Sequence, residues 1–278
     1  MEPEIGIMQG RLSNQIGKSI QYFPELTWKE EFQKAYELGF NSIEWIFDQN
    51  KNPLSSSDGI SEILNIQKQS GIKINSICAD YFMEKKLFNE SETDLLENIK
   101  ILKNLIEIST KLEISMIEIP LVDSSSLQTI QEKKQLKQNL EKILPDAEHN
   151  DVDIILETDL SPNNFKDYLD EINHPRLFAN YDSGNSASLG YNPNDELQIL
   201  KKWIKNVHIK DRKLSGSTVP LGMGDTDFEL VFSNLKQIDY SGDLIIQGSR
   251  IPEKKRTTHE TCLTYLRFVD GYLNKYYR

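Results

Sequence analysis

Short apolar runs alternate with longer amphipathic stretches along the whole chain. The apolar runs are rich in β-branched residues, and each is followed by a stretch rich in Glu, Lys and Leu with the spacing of an amphipathic helix. The pattern predicts strands over residues 5–8, 42–47, 73–79, 116–119, 153–157, 177–181, 206–210 and 244–247. It predicts helices over residues 28–38, 60–69, 92–111, 127–148, 162–172, 194–202, 228–237 and 257–272.

Eight strand-then-helix units predict an α/β protein with a (β/α)8 TIM barrel. Parallel strands with crossover helices give this alternation, and an open doubly wound sheet usually has only about five to seven strands. Residues typical of helix ends support these predicted helices. Gly39 and Gly71 stand where two helices should end, and Ser161 with Pro162 stands where another should begin. The chain carries no Gly/Ser/Pro-rich linker, so we expect a single TIM-barrel domain over residues 1–278.

The charge balance restricts the class of partner. With 32 Lys and Arg against 43 Asp and Glu, the net charge is −11, which opposes general binding to nucleic acid or to an anionic membrane. No apolar run approaches the ~18 residues of a membrane span. The N-terminus lacks the pattern of a secretory signal, so we expect a cytoplasmic protein that acts on a small molecule.

Polar residues recur at the carboxyl ends of the predicted strands, where barrel enzymes build their sites. Taken singly, these residues have structural explanations. A lone strand histidine such as His208 is usually a hydrogen-bonded core residue, and Asp182 stands in a turn composition in which aspartate often bonds the backbone. The residues at these strand ends are Gln9, Arg11, Glu44, Asp80, Glu118, Glu157, Asp182, His208 and Gln247.

Four of these residues end neighbouring strands and form a set of metal-ligand types. Glu157, Asp182 and His208 would follow one another around a closed barrel, with the amide of Gln247 on the last strand. Such an oxygen and nitrogen set suits one divalent ion, Mn2+, Mg2+, Co2+ or Zn2+, with open positions for substrate or water.

The ordered segments "ILETD", "YDSGN", "VHIKD" and "LIIQG" resemble the sugar phosphate isomerase/epimerase superfamily of xylose isomerase-like TIM barrels. The N-terminal "IGIMQGRLS" and "GFNSIEWIFD" are also similar to it. The resemblance implies a divalent metal ion held by Glu157, Asp182, His208 and Gln247, with Glu157 also catalytic. It implies contacts to a sugar or sugar phosphate from Glu44, Asn185, Lys210 and Arg212.

The chemistry that the resemblance implies is reversible proton transfer next to a ketose carbonyl, through an enediolate. Epimerases of the superfamily carry a second catalytic glutamate on the last strand, whereas this chain has Gln247, which cannot accept a proton near neutral pH. Glu157 could then act alone as an isomerase base, or another acid such as Glu118 could supply the second proton. A metal-dependent dehydratase or lyase on a polyol or ketose, and a non-catalytic sugar-binding barrel, stay open.

A basic group follows the last strand, at a place where many barrels bind phosphate. It comprises Ser249, Arg250, Lys254, Lys255 and Arg256. A phosphorylated substrate is therefore a secondary hypothesis, and a solvated start of the last helix is the simpler explanation. The aromatic loop at Tyr81 and Phe82 could border the sugar or a second subunit, so a homo-oligomer stays open.

Overall fold

Eight parallel strands close into a barrel in which each strand pairs with its sequence neighbours and the last pairs with the first. The computed structural model describes residues 2–15, 20–48, 51–251 and 256–278. The strands are β1 (Ile5–Met8), β2 (Ser42–Ile46), β3 (Ser76–Cys78), β4 (Met116–Leu121), β5 (Asp153–Thr158), β6 (Leu177–Asp182), β7 (Ile204–Ile209) and β8 (Leu244–Ile246). The predicted (β/α)8 TIM barrel is confirmed.

Helices connect the strands around the outside of the barrel. They are α1 (Trp28–Leu38), α2 (Ser57–Ser70), α3 (Tyr81–Glu84), α4 (Glu92–Leu112), α5 (Ile130–Leu140), α6 (Leu144–His149), α7 (Pro162–Ile172), α8 (Ser183–Leu189), α9 (Pro193–Leu200), α10 (Phe228–Gln237) and α11 (Thr258–Tyr276). Among the described residues, no helix is both long and apolar enough to cross a membrane.

One predicted helix is wrong as a single element. Residues 127–148 form two helices, α5 and α6, separated by a turn. Pro145 lies in the first turn of α6, where its missing N–H costs nothing, whereas inside a continuous helix it would remove a hydrogen bond and clash with the preceding turn. The break therefore follows from the proline, although the amphipathic pattern continues across it.

The strand register brings the polar strand ends to one level of the barrel. Asp182 on β6 is the direct partner of His208 on β7, and Glu157 on β5 stands beside Pro120 on β4. Both faces of these strands are covered, so their apolar residues are almost all fully buried. The functional side chains therefore start from rigid, buried backbone.

The long connection after β7 folds back on itself. A short hairpin pairs Asp211–Arg212 with Thr218–Val219, and the Asp211 carboxylate accepts the backbone N–H of Gly224 at 2.7 Å and of Thr226 at 3.2 Å. A Cβ at position 224 would overlap that carboxylate. Asp227 then caps α10 by accepting the N–H of Leu230 at 3.0 Å. The glycine is thus needed where the loop passes Asp211.

Candidate active site

A cavity of about 770 Å3 lies at the carboxyl ends of the strands. It is the place where a barrel of this type holds its reacting groups. Nine of the residues that line it come from the positions singled out in the sequence: Arg11, Asp80, Tyr81, Glu118, Glu157, Asn185, Lys210, Arg212 and Gln247.

His208 lies fully buried among four carboxylates, two near each ring nitrogen. Its Nε2 is 2.7 Å from Glu44 Oε1 and 3.0 Å from Glu118 Oε2. Its Nδ1 is 3.2 Å from Glu157 Oε2 and 3.9 Å from Asp182 Oδ2. The two nitrogens therefore have different neighbours, and within the described part of the chain only Nε2 has a hydrogen-bonded carboxylate.

The carboxylates determine the charge state of this cluster. Burial alone would lower the pKa of His208, but the negative charges of Glu118 and Glu44 outweigh it and raise that pKa well above its ordinary value. Burial also opposes ionisation of Glu157, yet the close approach and positive charge of His208, with the charge of Lys210, hold its pKa well below the usual range. Burial raises the pKa of Glu118. The cluster therefore favours a positive charge at its centre and an ionised Glu157.

Two asparagines hold the Glu157 carboxylate. Asn180 Nδ2 donates to Oε2 at 2.8 Å, and Asn185 Nδ2 donates to Oε1 at 2.5 Å. The amide oxygen of Asn185 accepts a hydrogen bond from Arg212 Nη1 at 2.8 Å, which fixes the orientation of that amide. Glu157 thus has a set position as well as a set charge.

Asp182 serves the backbone with one oxygen and faces the site with the other. Its Oδ1 accepts the backbone N–H groups of Gly184 and Asn185, both at 2.8 Å, and so caps α8. Its Oδ2 accepts from Lys210 Nζ at 3.1 Å. The capping and site explanations weighed for this residue are therefore compatible.

Gln247 directly follows β8 and has one amide atom free. Its Nε2 donates to Gln21 Oε1 at 2.9 Å, while its Oε1 is buried and has no hydrogen-bond partner among the described residues. Gln21 belongs to the polar loop after β1, and no sequence signal distinguishes it from the other polar residues there. Only closure of the barrel brings that loop next to the end of β8.

The donor set fits a divalent cation. Glu118, Glu157 and His208 each offer a ligand atom within 4.8 Å of the others. Buried polar atoms normally have partners, so the unbonded Nδ1 of His208 and Oε1 of Gln247 are unusual. A cation would be matched by both atoms and by the carboxylates beside them.

A family model described as a xylose isomerase-like TIM barrel matches residues 32–261. The chain belongs to this family. The expected kinship with sugar phosphate isomerases and epimerases is thereby confirmed.

Among its relatives in the xylose isomerase-like family is the L-ribulose-5-phosphate 3-epimerase UlaE of Escherichia coli. The two are 26% identical over 232 residues, which cover 79% of this chain and 81% of the relative. A solved L-ribulose 3-epimerase matches with a TM-score of 0.79 at 15% identity, over 99% of this chain and 96% of that one. A zinc-bound IOLI protein matches with a TM-score of 0.79 at 20% identity, over 98% and 99%. The expected class, isomerase, agrees with these relatives' names, and the solved structures show a shared fold.

Within this xylose isomerase-like barrel, Glu44 does not lie where we expected it. The family resemblance implied a contact between Glu44 and substrate, but its side chain is fully buried and does not line the cavity. There its oxygens accept from Ser76 Oγ at 2.5 Å and from Asn206 Nδ2 at 2.7 Å, besides contacting His208. Glu44 therefore holds the histidine, and its side chain is not among those that line the cavity.

The basic residues that could contact a phosphorylated substrate differ from those after the last strand. Arg250 donates to the carbonyl oxygens of Ser13 at 2.8 Å and Gly10 at 2.5 Å, so its guanidinium ties the loop after β1 to the end of β8. Lys254 and Lys255 lie outside the described residues. The cationic groups that line the cavity among the described residues are instead Arg11, Lys210 and Arg212.

Proposed function

We propose that this protein is a metal-dependent epimerase or isomerase that moves a proton next to the carbonyl of a ketose or ketose phosphate. The observation that carries the proposal is that Glu157 and Asp182 both face Nδ1 of the buried His208, while Glu157 and Gln247 line the cavity. The similarity to L-ribulose-5-phosphate 3-epimerases supports the class of reaction.

Four residues would hold the metal ion: Glu157, Asp182, His208 and Gln247. Because Glu44 bonds Nε2 of His208, the histidine would bind through Nδ1. Mn2+, Mg2+, Co2+ and Zn2+ all suit such a set. When bound, a divalent ion polarises a ketose carbonyl and so makes the neighbouring C–H group more acidic.

Glu157 is the base in this proposal. Its low pKa keeps it ionised at neutral pH, and its bonds to Asn180 and Asn185 hold it in one position. Its carboxylate takes the proton from the carbon next to the carbonyl. A base that returns the proton to the same face gives isomerisation or simple exchange.

Epimerisation requires a second group, because the proton must return on the other face. Gln247 cannot supply it. Glu118 is a second carboxyl group of the same cavity, and its Oε2 lies 3.0 Å from His208 Nε2. We assign the second proton transfer to Glu118, so that Glu157 takes a proton from the substrate carbon and Glu118 gives one to it.

In this proposal three residues contact the substrate. Asn185, Lys210 and Arg212 line the cavity and carry donors that suit sugar hydroxyl or phosphate oxygens. Each is also held by a neighbour in the site, Lys210 by Asp182 and Arg212 by Asn185. Their positions are therefore set before a substrate arrives.

The test is deuterium exchange in D2O with a panel of ketoses and ketose 5-phosphates, with and without added Mg2+ or Zn2+, read by NMR and mass spectrometry. Exchange at C3 with formation of the epimer indicates an epimerase, and exchange at C1 with formation of an aldose indicates an isomerase. Loss of water indicates a dehydratase. Sugar binding without exchange indicates a binding protein and overturns the proposal.

Glu157→Gln is the matched control, because glutamine keeps the size and one acceptor oxygen but cannot take a proton. We expect the rate of deuterium exchange to fall by about 10^3-fold or more, because a positioned general base is lost. Unchanged exchange in this variant would remove Glu157 from the reaction.

A further inference from the structure

Three side chains form a hydrogen-bonded chain across the cavity, from the end of β3 to the end of β8. Gln247 Nε2 donates to Gln21 Oε1 at 2.9 Å. Gln21 Nε2 in turn donates to both oxygens of Asp80, at 2.8 and 3.1 Å. All three side chains line the cavity.

Charged groups determine which atoms donate and which accept along this row of hydrogen-bonded side chains. An ionised carboxylate can only accept hydrogen bonds, so Gln21 must present its NH2 group to Asp80. A guanidinium can only donate, and Arg11 Nη2 lies 3.3 Å from Gln21 Oε1. Arg11 is itself held, because its Nε donates to the carbonyl oxygen of Gly248 at 3.0 Å. Both ends of the Gln21 amide are thus oriented by charged groups.

The orientation of Gln21 determines that of Gln247. Since Gln21 presents its oxygen, Gln247 must present its NH2 group in return, and its own oxygen is left unbonded. Gln247 is only 6% exposed, so solvent contributes little to its bonding.

We propose that Asp80 and Gln21 are positioning residues that hold the Gln247 amide with its oxygen available to the metal ion. This inference rests on the proposed function, since it takes the ion to bind beside Glu157. It also gives a reason for glutamine at this position. A carboxylate at 247 would face the oxygen of Gln21 with an oxygen of its own, whereas an amide can donate.

The test measures Mn2+ affinity by titration calorimetry, a readout independent of turnover. Burial raises the pKa of Asp80 to about 6, so the measurements are made at pH 8, where it is ionised. Asp80→Asn removes one of the two charged groups that orient the Gln21 amide and should weaken Mn2+ binding about tenfold, as for other residues that orient metal ligands.

A second variant should restore the direction of the hydrogen bonds to Gln247 while Asp80 stays replaced. In the double variant Asp80→Asn with Gln21→Glu, the new carboxylate accepts from Asn at 80, from Arg11 and from Gln247. The charge of the wild type is kept, and Mn2+ affinity should return to within about threefold of wild type. In a Gln247→Glu background, Asp80→Asn should not weaken Mn2+ binding, because the two oxygens of a carboxylate are equivalent.

Asp123→Asn is the control for charge alone, because Asp123 lines the same cavity but lies outside this chain of bonds. Equal losses in Asp80→Asn and Asp123→Asn, or no recovery in the double variant, would overturn the inference while leaving the proposed function intact. Wild-type protein that binds no Mn2+ would overturn both.

Discussion

Replacing Glu44 by glutamine tests how the buried carboxylate below His208 determines the metal-binding nitrogen. Three donors converge on Glu44: His208 Nε2 at 2.7 Å, Asn206 Nδ2 at 2.7 Å and Ser76 Oγ at 2.5 Å. A carboxylate can accept from all three. An amide has one accepting oxygen, so Glu44→Gln must place its NH2 group against one side of this set.

Each orientation of the new amide has a cost. If the NH2 group faces His208, Nε2 must become an acceptor, and the ring proton moves to Nδ1, the nitrogen that the metal needs. If it faces the other side, the Ser76 hydroxyl can reverse and accept, but Asn206 Nδ2 loses its acceptor. A lost hydrogen bond to a buried charged group destabilises by about 1.5–3 kcal/mol. Loss of a residue that orients a ligand weakens metal binding by about 10- to 100-fold.

Titration calorimetry with Mn2+ measures the loss of metal affinity, and urea unfolding measures the loss of stability. Asp123→Asn is the control, because it removes one carboxylate from the cavity and Asp123 is not among the four carboxylates around His208. We expect the loss of Mn2+ affinity to be larger in Glu44→Gln. Wild-type affinity and unchanged unfolding in Glu44→Gln would refute the account of His208.

Three further predictions concern other parts of the molecule. Burial raises the pKa of Glu31 to about 7. The native state therefore keeps a proton on Glu31 that the unfolded state releases above pH ~4.5. The free energy of unfolding that this proton contributes falls as pH rises from there towards 7. Glu31→Gln should remove up to about 3 kcal/mol of that decline, as seen by urea unfolding at pH 5 and pH 7.5; equal declines in both proteins would contradict it. Gly224→Ala should lower stability by about 1–3 kcal/mol in the same assay, since its Cβ would overlap the Asp211 carboxylate, and wild-type stability would show that the loop adjusts freely. Arg212→Met should raise KM for the active ketose about tenfold or more with Mn2+ affinity kept within about threefold, and an unchanged KM would remove Arg212 from substrate binding.

The barrel could be predicted because each of its units repeats the same local signals. The bounds of β1, α1, α7 and α10 agree with the sequence prediction, and the helices among them have strong end signals. Gly39 ends α1 with a φ of 92°, and Pro162 opens α7. The division between α5 and α6 was missed because the apolar spacing runs on through a turn that only Pro145 marks.

The site could be predicted only as far as strand order places residues together. Glu157, Asp182 and His208 end successive strands, so barrel closure alone makes them neighbours. The contacts of Gln21 and the burial of Glu44 depend on loop conformation and on depth within the barrel, and the sequence pattern carries neither. The sequence pattern therefore gives no sign that Glu44 lies buried against His208 and not in the cavity wall.

Metal-dependent deuterium exchange tests the central claim most directly. The protein, freed of metal by chelation and incubated in D2O with its best ketose, should exchange the hydrogen next to the carbonyl only after Mg2+ or Zn2+ is restored. Glu157→Gln should bind the sugar but not exchange it. Undiminished exchange after complete removal of metal, or full exchange by Glu157→Gln, would contradict the account.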